Sequence, residues 1–240
     1  MRGPVHFLPL FTTVVALLFA SELLRRYRKR GGTHLLWWGI GMLTYAGGTA
    51  AESYVTLFGW DLTVFRLWYV FGALLGGAPL AQGSVYLHVN RRTAHVLTVM
   101  LIAVVTAGAV AVFNSPVDPS LVETHRLTGR VMTWRWVRFI SPFVNLYAVV
   151  FLIGGAIRSA VTFGGQPAMR HRAVGNWVIA IGAILPGIGG SFTRFGHVEV
   201  LYVTELLGLL LIFAGFRLAT RERPLGAPSL ASAANVPLHR

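Results

Sequence analysis

The 240-residue chain contains no cysteine, so disulfides, cysteine-ligated zinc and iron–sulfur clusters are excluded. Its only lysine, Lys29, sits in a basic run outside every apolar stretch, which leaves a retinal Schiff base no anchor. Charge is scarce: Asp, Glu, Lys and Arg make up 12% of the residues, and only eight are acidic. No glycine-rich phosphate loop, serine elbow or catalytic carboxylate dyad is legible, and the reading is of a non-catalytic protein. The histidines His6, His34, His88, His95, His125, His171 and His197 fall near the ends of apolar stretches. Axial haem ligands would have to face each other at membrane depth, so neither a haem nor another cofactor or metal is expected.

What remains is apolar. Hydrophobic residues make up 55% of the chain and the mean hydropathy is +0.63, outside the range of an ordinary soluble domain. About 20 apolar residues span a bilayer. Seven such stretches occur, near 7–24, 34–58, 63–87, 94–113, 138–157, 174–193 and 197–217. The expected fold is therefore an all-α, polytopic bundle of seven transmembrane helices in a single domain over 1–223. A small, polar, proline-punctuated segment at 224–240 reads as a disordered cytoplasmic tail.

The net charge of +13 is concentrated in alternate loops, except that 114–138 on the other side carries Arg126, Arg130, Arg135 and Arg138, offset partly by Asp118 and Glu123. Arg25, Arg26, Arg28, Lys29 and Arg30 follow the first stretch, Arg91 and Arg92 the third. Arg158, Arg170 and Arg172 follow the fifth, and Arg217, Arg221 and Arg223 the seventh. Positive loops face the cytoplasm, which orients the chain N-out and C-in. Anionic lipid headgroups account for these arginines at roughly 1 kcal/mol each. A membrane or cytoplasmic protein partner is a further candidate, and nucleic acid is not. Because the basic cluster follows the first apolar run instead of preceding it, that run reads as a retained helix and not a signal peptide.

A shift of 133 residues lays Pro9 on Pro142, Arg25 on Arg158, and Arg66 to Val70 on Glu199 to Val203. This suggests two parallel three-helix repeats, 7–90 and 138–217, joined by a helix at 94–113 in a 3+1+3 plan. Chance matching of apolar segments is the competing explanation.

Ionised groups near the bilayer centre are expensive and usually face a protein interior or a wet cavity. Glu52 and Glu205 lie within apolar stretches, and Arg66, Arg194 and Glu199 lie at the ends of others. Tyr45, Thr49, Glu52 and Thr56 recur at spacings of three and four, forming one stripe. Glu199, Tyr202 and Glu205 step by three, which places Glu205 about 9 Å deeper than Glu199. Arg138, Ser141 and Asn145 share a third face. The candidate ligand-binding or ion-pair residues are thus Glu52, Arg66, Asn145, Arg194, Glu199, Tyr202 and Glu205, in a chamber within the outer half of the membrane. Glu52–Arg66 and Arg194–Glu199 are the expected ion pairs, and Glu205 has no sequence-local cation. Pro186 with Gly187, Gly189 and Gly190 marks an expected kink or break, and these four are the hinge candidates. Pro79 with Gln82 suggests a weaker irregularity. The tryptophans are expected mostly at the interfaces.

The stretch from Ala51-Glu52 through Arg66-Leu67-Trp68-Tyr69-Val70-Phe71-Gly72 to Pro79 resembles part of the seven-helix N-terminal sensing region of some bacterial histidine kinases. The resemblance covers the second and third helices and implies reception of a membrane ligand or partner. No output domain is read after 217. The 3+1+3 plan is also similar to that of SWEET and PQ-loop transporters, but their Pro-Gln pairs are missing, since Leu10 follows Pro9 and Phe143 follows Pro142. Ser84-xxx-His88 resembles one element of the seven-helix zinc amidases, whose paired HxxxH motif is absent. Two functions follow as expectations: a receptor-like or accessory subunit of a prokaryotic cell membrane, or a small-molecule or proton-coupled transporter with Glu205 as the coupling or substrate residue.

Overall fold

A computed structural model describes residues 3–221; the segment 224–240 and Arg223 lie outside the described residues. The described chain is helical without a strand, and seven rods follow one another. They are α1 (Pro4–Arg30), α3 (Leu62–His88), α4 (Arg91–Asn114), α5 (Val137–Gly164), α6 (Pro167–Phe192) and α7 (Val198–Ala219), with α2 (Thr33–Phe58) between the first two. All but α2 are both long and apolar enough to cross a membrane. This is the architecture of a multi-pass helical membrane bundle.

The exception has a physical reason. At 26 residues α2 is long enough, but it carries Tyr45, Thr49, Glu52, Ser53 and Thr56, and the last four are buried. A helix covered by protein does not need side chains that suit lipid. By contrast, α4 presents Val96, Val99, Met100, Ile102 and Val110 outward, as a helix facing acyl chains does.

Consecutive rods pack side by side, and α7 returns to α1. The tightest seam is α6 against α7. Gly175, Gly182 and Gly189 recur every seven residues on α6, opposite Gly208 and Gly215 on α7. A seven-residue interval keeps one face toward an antiparallel neighbour. A Cβ at Gly182 would stand 2.7 Å from the Gly208 carbonyl oxygen, and one at Gly175 would stand 2.6 Å from that of Gly215. Small residues that admit backbone contact are how helices associate in lipid, where hydrophobic exclusion supplies no drive.

The expected break at Pro186 is not seen. The helix runs without interruption over Arg170–Phe192, with the proline ring turned toward Gly208. Gly189 packs on Leu201, whereas Gly187 and Gly190 face open space. The interruption lies instead in α3, where Tyr69–Leu75 is π-helical and Gly76 turns with φ +45°. Helix resumes at Ala78, with Pro79 in its first turn. Proline lacks an N–H and its ring clashes with the carbonyl four residues back, so Pro79 starts a helix here where Pro186 is carried within one. A second π-helical turn, Val149–Ile153, interrupts α5.

The connection between α4 and α5 is folded against the bundle. Val117 and Met132 form an antiparallel bridge, and Val131 and Met132 are buried against Phe65 and Tyr69. Asp118 accepts from the Ser120 hydroxyl at 2.6 Å and from its backbone N–H at 2.9 Å, which together hold its carboxyl below the usual carboxylate range.

Candidate functional site

The site is assembled by a close approach of α2 and α3. A Cβ at Gly48 would lie 3.3 Å from the Cα of Gly72. One turn along α2 from that crossing is Glu52, and one turn back along α3 is Trp68. The indole Nε1 of Trp68 donates to Glu52 Oε1 at 3.0 Å. Glu52 is only 5% exposed. Its carboxyl lies within hydrogen-bonding reach of the Glu205 carboxyl on α7. Oε2 of both residues is buried and meets no donor among the described residues.

Two carboxylates carry only acceptors, so a hydrogen bond between them requires one shared proton. With both ionised they would repel each other at close range. A single proton held between them would relieve that repulsion. Two turns along the same stripe, Tyr45 also fastens α2 to α7, donating its hydroxyl to the Glu205 backbone carbonyl at 3.0 Å. Tyr202 is buried within electrostatic range of Glu52, Glu205 and Glu199, and His6 meets its ring edge-on at 6.2 Å. His6 Nε2 stands 3.6 Å from Glu199 Oε1, whose side chain is 48% exposed. From Glu205 through Tyr202 to Glu199, polarity thus leads from the interior to the end of the bundle opposite the basic loops.

The other expected members are placed differently. Arg66 does not pair with Glu52: its Nη2 points to the Ser115 carbonyl at 3.5 Å, its guanidinium lies over Phe113, and Nε is buried without a partner among the described residues. Residues two apart point about 200° from each other on a helix, so Trp68 facing Glu52 turns Arg66 away. Asn145 also lies away from the carboxyl pair. Its Nδ2 donates to the Ala73 carbonyl at 3.4 Å, which satisfies an acceptor in the π-helical stretch of α3. The side chain of Arg194 lies outside the described residues, and the Arg194–Glu199 pair with it. The hinge candidates Pro186, Gly187, Gly189 and Gly190 belong to the α6 described above.

Three participants were not expected. Trp68 reads as an interfacial belt residue, and its signal was the Gly72-Ala73-Leu74-Leu75-Gly76 step beginning one turn later. His6 lies before the first apolar run. Arg126, in the α4–α5 connection, donates to the Thr193 carbonyl at 2.6 Å and secures that connection to the end of α6.

The fold and the site define a class: a helical multi-pass membrane bundle with a buried carboxyl pair. Beyond the class, comparison with protein-family models, curated proteins and solved structures finds no match.

Proposed function

We propose that the chain is a non-catalytic, receptor-like or accessory protein of a prokaryotic cell membrane, with seven spans, the N-terminus outside and the C-terminus in the cytoplasm. In this reading its stimulus is a proton, bound between Glu52 and Glu205 in the outer half of the membrane. The observation that supports it is the approach of two buried carboxyls, Glu52 on α2 and Glu205 on α7, to within hydrogen-bonding reach of each other. Loss of the shared proton would separate α2 from α7 at that level. The protein's response is then a change in packing. The resemblance to kinase sensing regions agrees, because Glu52 and Trp68, bonded to each other here, both belong to the stretch that carries it.

Infrared difference spectra of the reconstituted protein test this directly. A protonated-carboxyl band should vanish on alkalinisation and be missing from both Glu52→Gln and Glu205→Gln. A spectrum unchanged by both substitutions would overturn the proposal.

Proton-coupled transport is the second reading, favoured by the interruption of α3 at Gly76 two turns from Trp68. Proton flux in proteoliposomes that collapses in Glu205→Gln, with folding intact, would assign transport. A carboxyl band without flux would leave the sensing role.

A further inference from the structure

A second site lies at the other end of the bundle, among the basic loops and apart from the carboxyl pair. All the rods except α4 line a partly open cavity of about 70 Å³ between them. A water needs roughly 10–15 Å³ by this measure, so the space holds several waters or a run of methylenes. Its apolar lining includes Phe19, Leu23, Trp38, Leu152 and Phe216. Its polar residues, Ser84, His88, Ser159 and Asn176, come from the ends of α3, α5 and α6 that carry the basic loops.

His88 Nδ1 faces the Ser84 carbonyl at 2.8 Å, and a carbonyl only accepts, so the proton sits on Nδ1. In the neutral ring Nε2 then accepts from the Ser159 hydroxyl at 3.0 Å. These bonds hold His88 as a wall. Asn176 spends one amide hydrogen on the Arg172 carbonyl at 2.8 Å. Its other hydrogen and Oδ1 have no protein partner among the described residues, yet they are not buried orphans; they open on the cavity. Arg158 adjoins Ser159 and is exposed, and Arg172 is exposed over Phe163. Neither has an acidic partner among the described residues.

From this arrangement we infer that the cavity binds a single-chain anionic amphiphile. The alkyl tail lies among Trp38, Leu152 and Phe216, and the carboxylate or phosphate head meets Asn176 and the Arg158 and Arg172 guanidiniums. The walls remove apolar surface from water, and the two free cations neutralise the head where it emerges. A neutral alcohol of the same length would gain only the first contribution. Fatty acids and lysophospholipids share this chemistry.

Photo-crosslinking of a diazirine-bearing palmitic acid to the full chain, in phosphatidylcholine proteoliposomes, tests the site. Adducts should map to Trp38, Leu152 and Phe216. Laurate or dodecyl phosphate should displace the probe at least tenfold better than dodecanol, and whichever of the two is stronger identifies the fatty-acid or the phospholipid source. Ala156→Trp, which fills the cavity, should abolish these adducts; Ile179→Trp does the same from α6 should the first variant fail to fold. Arg158→Gln with Arg172→Gln should remove the preference for anionic heads while leaving tail labelling. Adducts spread evenly over lipid-facing residues such as Val99 and Phe143, or equal competition by dodecanol, would overturn the inference.

Discussion

At the scale of single residues, the pairing of Glu52 with Glu205 gives substitutions of opposite severity. Glutamine at either position can still donate an amide hydrogen to the remaining carboxylate. Glu52→Gln or Glu205→Gln should therefore keep the fold while removing the pH response of unfolding in detergent between weakly acidic and alkaline buffer. Glu52→Ala strands both the Trp68 N–H and the Glu205 carboxyl, and each buried group left unpaired costs about 1–3 kcal/mol. Thermal unfolding of the three variants checks this, and equal loss in all of them would mean the shared proton contributes nothing. Asp118 behaves as an ordinary capped surface acid. Its folded carboxyl is held down by Ser120, so it stabilises the α4–α5 connection above its unfolded value, near 4. That contribution disappears as the pH falls through the lower folded value. Amide exchange at Ser120 should accelerate only there, and Asp118→Asn should show no such acid step. The inward position of Glu52 was legible in its three–four spacing with Tyr45, Thr49 and Thr56. Its partner was not, because hydropathy does not tell which of Arg66 and Trp68, two residues apart, turns toward α2.

At the scale of elements, the glycines of α6 divide by what they touch. Gly182→Ala brings a methyl against the Gly208 backbone and should lower stability by about 1–3 kcal/mol, the usual range for overpacking. Gly187→Ala meets open space in an uninterrupted helix. There, alanine's better helix propensity should leave stability unchanged or raised by up to about 1 kcal/mol. Unfolding of the two variants in mixed micelles compares them directly; similar losses would argue that Gly187 is also a packing glycine or a hinge. The sequence pattern marked this segment as unusual, and the seven-residue spacing of Gly175, Gly182 and Gly189 contained the seam. The proline does not break this helix. The ring's clash is with the carbonyl of its own preceding turn, and a membrane helix carries a proline where packing against a neighbour compensates for the freed carbonyl; here the Gly182 carbonyl and the Pro186 ring both pack on Gly208. In α3, Gly76, able to take a positive φ, stands two residues before the Ala78–Pro79 start, and the chain breaks there instead.

For the whole molecule, the six apolar rods were legible because lipid-facing helices must be apolar along most of their length, whereas α2 lies inside the bundle and lacks that signal. This bears on topology. If α2 crosses the membrane together with the other six rods, the turn at Gly31–Gly32, the link at 89–90, the link at 165–166 and the residues after Ala219 all lie on the cytoplasmic side. If α2 did not cross, the turn at Gly31–Gly32 and the link at 59–61 would share a side. Every later connection would then be inverted relative to the first. The absence of native cysteine makes the experiment clean, because each introduced thiol is the only one. Single cysteines at Gly31, Asn90 and Gly165 should resist a membrane-impermeant maleimide in intact cells and react after permeabilisation. Cysteines at Asp61, Ser120 and Gly196 should react without it. Gly31 and Asp61 labelling from the same side would remove α2 from the membrane. It would also place Glu52 outside the outer half of the bilayer, and the proton site would then have to be sought in a different electrostatic setting.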